Sequence, residues 1–235
     1  NGNMLKGGLV YADRITTVSR SYASEIRMPF YGEGLDGLLR ARSKQLSGIV
    51  NGIDYNDFNP ETDIHLPYKF NKETVTTEKV KNTYPDAEFT DAHGGIIMPA
   101  FINVHKEKFK NKIALQKELG LEENPDAFML GIVSRLTDQK GLDLVECVLD
   151  QICAEDVQLV VLGTGEGKYQ DMFTYYSRKY PERVSANIFY SEALSHRIYA
   201  SCDAFLMPSL FEPCGLSQLM SLRYGTLPIV RETGG

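Results

Sequence analysis

The sequence predicts an α/β fold, a Rossmann-like doubly wound parallel sheet, from about residue 128 to the end. Three observations carry that expectation. Strand-like and helix-like segments alternate, the strand-like ones are continuous apolar runs, and Gly, Pro or Ser bounds each run. A continuous apolar run suits a strand covered on both faces, as parallel strands with helical crossovers are.

The elements follow in order. FMLGIVSR (128–135) is the first strand, 142–153 a helix, QLVVLG (158–163) the second strand, and 169–178 a helix. VSANIFY (184–190), a short helix at 194–201, AFLMPS (204–209), a helix at 216–223 and LPIV (227–230) continue the series. Upstream, a helical start runs through Tyr11, a short strand covers 15–18, and YASEIR and LDGLLRARSKQL read as helices. Residues 1–50 are too few to enclose a core. They read as the tail of a preceding domain, with GIVNGID (48–54) as the crossing into a second domain over 51–235. The stretch from about 60 to 107 is weakly patterned, and loops of that length signal a lid, an insertion or disorder. We expect an irregular insertion at about 72–105. Internal repeats are absent.

Composition narrows the function classes. The 235 residues are 43% hydrophobic and 24% charged, which is ordinary globular material, and the net charge of -6 argues against a phosphate-backbone binder. An anionic ligand therefore needs a local basic site. Cys147, Cys153, Cys202 and Cys214 have no metal-like spacing, so a reducing cytoplasm is expected. No apolar run approaches the roughly 20 residues of a membrane helix, and the N-terminus lacks a signal-peptide layout. The closing Thr233-Gly234-Gly235 is a turn that normally connects two elements, which suggests truncation.

In an open parallel sheet, ligands bind beyond the carboxyl ends of the strands. Five such places carry chemistry. Residues 134–141 put Arg135, Lys140 and a glycine before a helix, where N–H groups, helix dipole and fixed charge favour an anion such as a pyrophosphate; a solvated basic turn is the alternative. Gly163-Thr164-Gly165-Glu166-Gly167 is a closely approachable loop or a plain tight turn. Tyr190 offers a flat face to a base, or simply packs. In PSLFEPCGLSQ (208–218), Glu212 precedes a turn whose Gly215 and Leu216 N–H groups open a helix. There a carboxylate can hold sugar hydroxyls while the helix start faces a phosphate, or Glu212 merely favours the helix dipole. Arg231-Glu232-Thr233-Gly234-Gly235 repeats the theme of a cation and glycines after a strand.

The phrases YADRITTVSRSYASEI, GLDGLLRARSKQLSGIVNGID, NPETD, SRLTDQKGLDL, SHRIYASCDAFLMPSLFEPCGLSQL and RYGTLPIVRETGG, in that order, resemble the bacterial and plastidial glycogen and starch synthases. That family has the two-domain GT-B glycosyltransferase fold. The resemblance implies retaining transfer of glucose from ADP-glucose to the non-reducing 4-hydroxyl of an α-1,4-glucan such as glycogen, with neither metal nor cofactor, nucleic acid nor membrane involved. It implies that Arg135 and Lys140 bind the diphosphate and neutralise the departing ADP, and that Glu212 lies in the donor-glucose pocket. Cys214, Gly215 and Leu216 would contact the donor, Tyr190 flank the adenine, Thr233 and Gly234 form the phosphate-side turn, and Asn51 lie in the interdomain cleft.

The sequence departs from the wider pattern in three places. Many related GT-B enzymes carry a second Glu where this chain has Met220, a departure that the bacterial synthases share. The family's N-terminal K-x-G-G-L donor loop is absent, because Lys6-Gly7-Gly8-Leu9 has different spacing and directly precedes YADRITTVS. By itself the chain is accordingly expected to be inactive, a nucleotide- or glucan-binding piece. Finally, AEFTDAHGGIIMPAFINVH (87–105) resembles the first metal-binding motif of amidohydrolases, yet His105 lacks a second His beside it. One imidazole does not make a metal site, so a chimeric junction or an inserted loop is the expected explanation.

Overall fold

The computed structural model describes residues 3–71 and 100–233. Helix α1 (Met4–Tyr11) is followed by β1 (Ile15–Val18), α2 (Arg20–Glu25), α3 (Asp36–Ala41) and β2 (Leu46–Ile49). Strands β1 and β2 pair in parallel as a two-stranded sheet. Its few buried apolar side chains include Ile15, Ala23 and Leu39. The helix expected across LDGLLRARSKQL ends at Ala41, and the strand β2 takes up Leu46, Ser47, Gly48 and Ile49. Parallel pairing to β1 decides this locally, since Ile15 N–H donates to the Gln45 carbonyl (3.0 Å) and Ser19 N–H to that of Ile49 (3.1 Å).

After the crossing segment comes α4 (Ala100–Leu119), then β3 (Phe128–Val133), a 3-10 turn (Asp138–Lys140), α5 (Leu142–Ala154) and β4 (Val157–Leu162). Helix α6 (Gly167–Lys179), β5 (Val184–Asn187), α7 (Glu192–Ser201), β6 (Ala204–Met207), α8 (Leu216–Arg223) and β7 (Leu227–Val230) complete the described chain. The five later strands form one parallel sheet in the order β5-β4-β3-β6-β7, with β3 central.

Alternation within the apolar runs covers both faces. Leu130, Ile132, Leu159 and Val161 point to one side, where they meet Leu142, Val145 and Leu149 of α5 and Phe173 of α6. Met129, Val160 and Leu162 point to the other side, against Leu115 of α4, Leu194 and Ile198 of α7, and Cys202 just after it. A third cluster joins Leu66 and Phe70, downstream of the crossing segment, to Tyr199, Phe205, Met207 and Tyr224. Burial of this order supplies most of the fold's stabilisation, at about 25 cal/mol per Å² of apolar surface.

Residues 100–107, which the sequence placed in a weakly patterned stretch, belong to α4, while 72–99 lie outside the described residues. The buried face of α4 is polar: Lys108, Asn111, Lys112 and Gln116 are all buried beside Leu115. Each meets fixed partners. Lys108 Nζ donates to the carbonyls of Tyr199 (3.2 Å), Ala200 (3.1 Å) and Tyr224 (3.2 Å) and to Thr226 Oγ1 (2.6 Å). Those carbonyls lie at the negative ends of α7 and α8, where a cation is favoured. Lys112 Nζ reaches Asp203 Oδ2 at 2.7 Å, and Asn111 exchanges hydrogen bonds with the backbone of Tyr68. A second polar cluster fastens Phe58 and Asp63, just after the crossing segment. His196 Nδ1 lies 2.7 Å from Asp63 Oδ2, Tyr224 Oη donates to the same oxygen, and the His196 ring stacks on Phe58.

Among the described residues no helix is long and apolar enough to cross a membrane.

Candidate functional site

The sheet's connections change direction between β3 and β6, so the loops that leave these two neighbours diverge and open a crevice at the carboxyl edge. The loop after β3 carries Arg135 and Lys140; the loop after β6 carries Ser209 and Glu212. Lys140 Nζ meets Glu212 Oε2 at 2.6 Å, with both side chains largely buried. Ser209 Oγ donates to the same carboxylate oxygen at 3.0 Å.

Between them Gln139 joins the two loops by backbone and side chain. Its carbonyl accepts from Leu210 N–H at 2.9 Å, and its Nε2 donates to the Phe211 carbonyl at 3.2 Å. Arg135 Nη2 lies 3.5 Å from Gln139 Oε1, a long contact that leaves the guanidinium beside the same junction. The close approach depends on Gly141, whose φ is +64° and whose missing Cβ would sit 2.1 Å from the Pro208 carbonyl oxygen. Sequence reasoning passed over Gln139 and Ser209, although both lie inside the phrases that carry the chemistry.

Glu212 lines a cavity of about 420 Å³ together with Ser209, Gln218, Arg231 and Thr233, and α2 contributes Ser21 and Glu25 from across the cleft. Of the other candidates, Cys214 is buried, Gly215 (φ +74°) precedes α8, and Leu216 begins that helix with no side-chain cap. Those free helix-start N–H groups are donors suited to an anion. Tyr190 follows β5 at the same edge of the sheet and is 86% exposed, so it does not pack into the core. Asn51 lines a different cavity, of about 550 Å³, with Tyr55, Phe70, Leu222 and Arg223. The structure therefore brings Lys140, Glu212 and Thr233 to one crevice, leaves Arg135 exposed beside Gln139 at its edge, and puts Asn51 in another cavity. Gly234 lies outside the described residues.

The glycine loop after β4 serves packing. A Cβ on Gly163 would meet the Ser134 carbonyl oxygen and one on Gly165 the Leu136 carbonyl oxygen, at 1.8 and 2.2 Å. Leu136 N–H donates to the Thr164 carbonyl (2.9 Å) and Glu166 N–H to the Leu136 carbonyl (2.8 Å). The loop is thus the support on which the Arg135–Lys140 loop rests. No group of three or more His, Cys, Asp or Glu side chains able to hold a metal occurs among the described residues. Most of the stretch that resembles an amidohydrolase motif lies outside them.

The family model for the starch synthase catalytic domain matches residues 1–41, and that for glycosyl transferases group 1 matches residues 114–235. The chain belongs to the glycosyl transferases group 1 family. Among similar relatives of this glycosyltransferase chain, the glycogen synthase of Lachnospira eligens is 63% identical over 235 residues, 100% of this chain and 43% of that protein. The glycogen synthase of Clostridium acetobutylicum is 50% identical over 233 residues, 99% of this chain and 43% of that protein. The chain thus spans less than half the length of the curated relatives it matches. The Lachnospira match extends over all 235 residues, the stretch 72–105 included.

The solved catalytic domain of starch synthase IV from Arabidopsis thaliana, bound to ADP and acarbose, superposes with a TM-score of 0.81 at 34% identity, covering 98% of this chain and 42% of that one. The Anabaena protein HepE, in complex with UDP and glucose, superposes at 0.56 with 16% identity, covering 97% of this chain and 47% of that one, and shares the fold. The parallel α/β architecture is that of the starch synthase GT-B domain.

Proposed function

We propose that this chain supplies the nucleotide-sugar-binding part of a glycogen or starch synthase, a retaining glycosyltransferase that moves glucose from ADP-glucose to the non-reducing end of an α-1,4-glucan. One observation carries the reading. The Lys140–Glu212 pair (2.6 Å) sits at the switch point of the sheet, where a cation for a diphosphate and a carboxylate for a sugar share one crevice. The likeness to a starch synthase solved with ADP supports it.

In this reading Arg135 and Lys140 neutralise the diphosphate, and their charges matter most as the leaving ADP gains negative charge. Glu212, held by Lys140 and Ser209, accepts hydrogen bonds from hydroxyls of the donor glucose. The N–H groups at Gly215 and Leu216 face the phosphates beside Cys214, Thr233 and Gly234 close the phosphate side, and Tyr190 stacks on the adenine. We give Asn51 a place on the interdomain side. To this chain alone we assign nucleotide binding, and to the whole protein the transfer of glucose. The four cysteines are free, which supports a reducing compartment, the cytoplasm.

Titration calorimetry tests the phosphate assignment. Removing a charge-assisted hydrogen bond costs about 1.5–3 kcal/mol, so Arg135→Ala and Lys140→Ala should each weaken ADP about 10- to 100-fold. No ADP affinity in the unmodified chain, or equal affinity in the variants, would refute it.

A further inference from the structure

Asp138 stands between Arg135 and Lys140 and is the first residue of the 3-10 turn that ends at Lys140. By charge alone it is out of place. A carboxylate two residues from an anion-binding lysine opposes the anion. Its side chain is 65% exposed yet held by a closed set of contacts. Tyr169 Oη donates to Asp138 Oδ1 at 2.6 Å, and the Lys168 ammonium pairs with the same oxygen. The Asp138 N–H donates to Glu166 Oε1 at 3.2 Å, while Glu166 Oε2 lies 3.5 Å from Lys168 Nζ.

The anchor of this set is rigid. The Tyr169 ring is 3% exposed, packed with Leu142, Val145 and Phe173 in the core beneath the sheet. Burial, then the hydrogen bond to Asp138, pushes its phenol up to about 12, so it remains a donor through the neutral range. From Asp138 the chain has one short path to Lys140, closed by Lys140 N–H to the Thr137 carbonyl and Gly141 N–H to the Asp138 carbonyl, both 3.0 Å.

We propose that Tyr169, with Lys168 and Glu166, acts through Asp138 as a clamp that positions the Lys140 ammonium for the nucleoside diphosphate. Tyr169 and Asp138 are positioning residues in this scheme, which rests on the reading of the crevice as a diphosphate site. The clamp also gives the β4–α6 loop a role. Its glycines let it seat against residues 134–136, and the first turn of α6 then presents Lys168 and Tyr169 to Asp138.

Charge and position predict opposite signs, which makes the clamp testable by ADP titration calorimetry on the chain. Asp138→Asn removes a negative charge, so a purely electrostatic role makes ADP bind more tightly. Positioning makes it bind more weakly. We expect Asp138→Asn and Tyr169→Phe each to raise the ADP dissociation constant about tenfold, within the roughly hundredfold that a 1 Å misplacement can cost. The double variant should lose about the same tenfold, since both changes open one linkage. In a Lys140→Ala background either change should matter less than twofold, a result that a general loss of folding does not produce. Asp138 is a surface residue, so its Asn variant stays informative even if Tyr169→Phe disturbs the core.

Tighter or unchanged ADP binding in Asp138→Asn overturns the clamp, as does a tenfold loss that persists without Lys140. If the unmodified chain binds no ADP, the crevice reading falls and the clamp with it. If ADP binds and only the clamp variants behave like the unmodified chain, the clamp alone is wrong.

Discussion

Replacing Gly141 by Ala probes the joint between the two loops that form the crevice. Two costs add. At φ +64° an alanine pays about 1–2 kcal/mol for the left-handed conformation. Its Cβ would also lie 2.1 Å from the Pro208 carbonyl oxygen, where van der Waals contact needs roughly 3.5 Å, so the loops must part by about 1.4 Å. That displacement breaks the 2.9 Å bond from Leu210 N–H to the Gln139 carbonyl, worth about 1 kcal/mol. It also stretches the 2.6 Å contact between Lys140 and Glu212 to the edge of ion-pair range. The sum, about 2–3 kcal/mol, lowers the melting temperature by about 4–12 °C for a chain of this size. ADP affinity should fall about 10- to 100-fold. Gly120→Ala is the control, because Gly120 has φ +69° but nothing within 4 Å of the added Cβ. It bears the conformational cost alone and should bind ADP normally. Thermal unfolding and titration calorimetry on both variants decide the matter. Unchanged ADP affinity in Gly141→Ala would show that contact between these loops does not set the site.

Three other changes test separate parts of the structure. Burial pushes the Lys108 ammonium from 10.5 down to about 7, so between those values the unfolded chain holds the extra proton and native stability rises with pH. Lys108→Met should cost about 3 kcal/mol near pH 6 by stranding its carbonyl partners. In pH-dependent melts the deficit against the unmodified chain should grow by up to about 1.4 kcal/mol per pH unit above 7; a flat difference means the lysine stays charged. Burial by itself raises the Asp63 carboxyl, but hydrogen bonds from His196, Tyr224 and the His65 N–H outweigh it and hold it below 3.8. Asp63→Asn should therefore destabilise by about 2–3 kcal/mol at neutral pH, a difference that shrinks as pH falls below about 4; acid-titrated unfolding with a pH-independent difference contradicts it. Tyr190→Ala removes a base-stacking face worth about 1–3 kcal/mol and should weaken ADP roughly tenfold without changing the melting temperature; unaltered binding puts the adenine elsewhere.

The later sheet was legible because its strands are apolar on both faces. Leu130 and Ile132 serve one layer of helices and Met129 the other, so the run FMLGIV declares a central parallel strand. Helix α4 was not legible. Its inward face is Lys108, Asn111, Lys112 and Gln116, and a hydrophobic pattern has no way to show that carbonyls at the ends of α7 and α8 await a buried ammonium. Strand β2 escaped notice because its pairing with β1 bridges residues some 30 positions apart.

The sequence by itself determined the layer architecture, the family resemblance, and which loops bear a cation or a carboxylate, because side-chain polarity and glycine placement are local properties. Tertiary structure alone decided that Lys140 and Glu212 meet, that Asn51 lines a separate cavity, and that Tyr169 grips the turn carrying Lys140. Those facts depend on strand order, and strand order is fixed by packing between segments far apart in the chain.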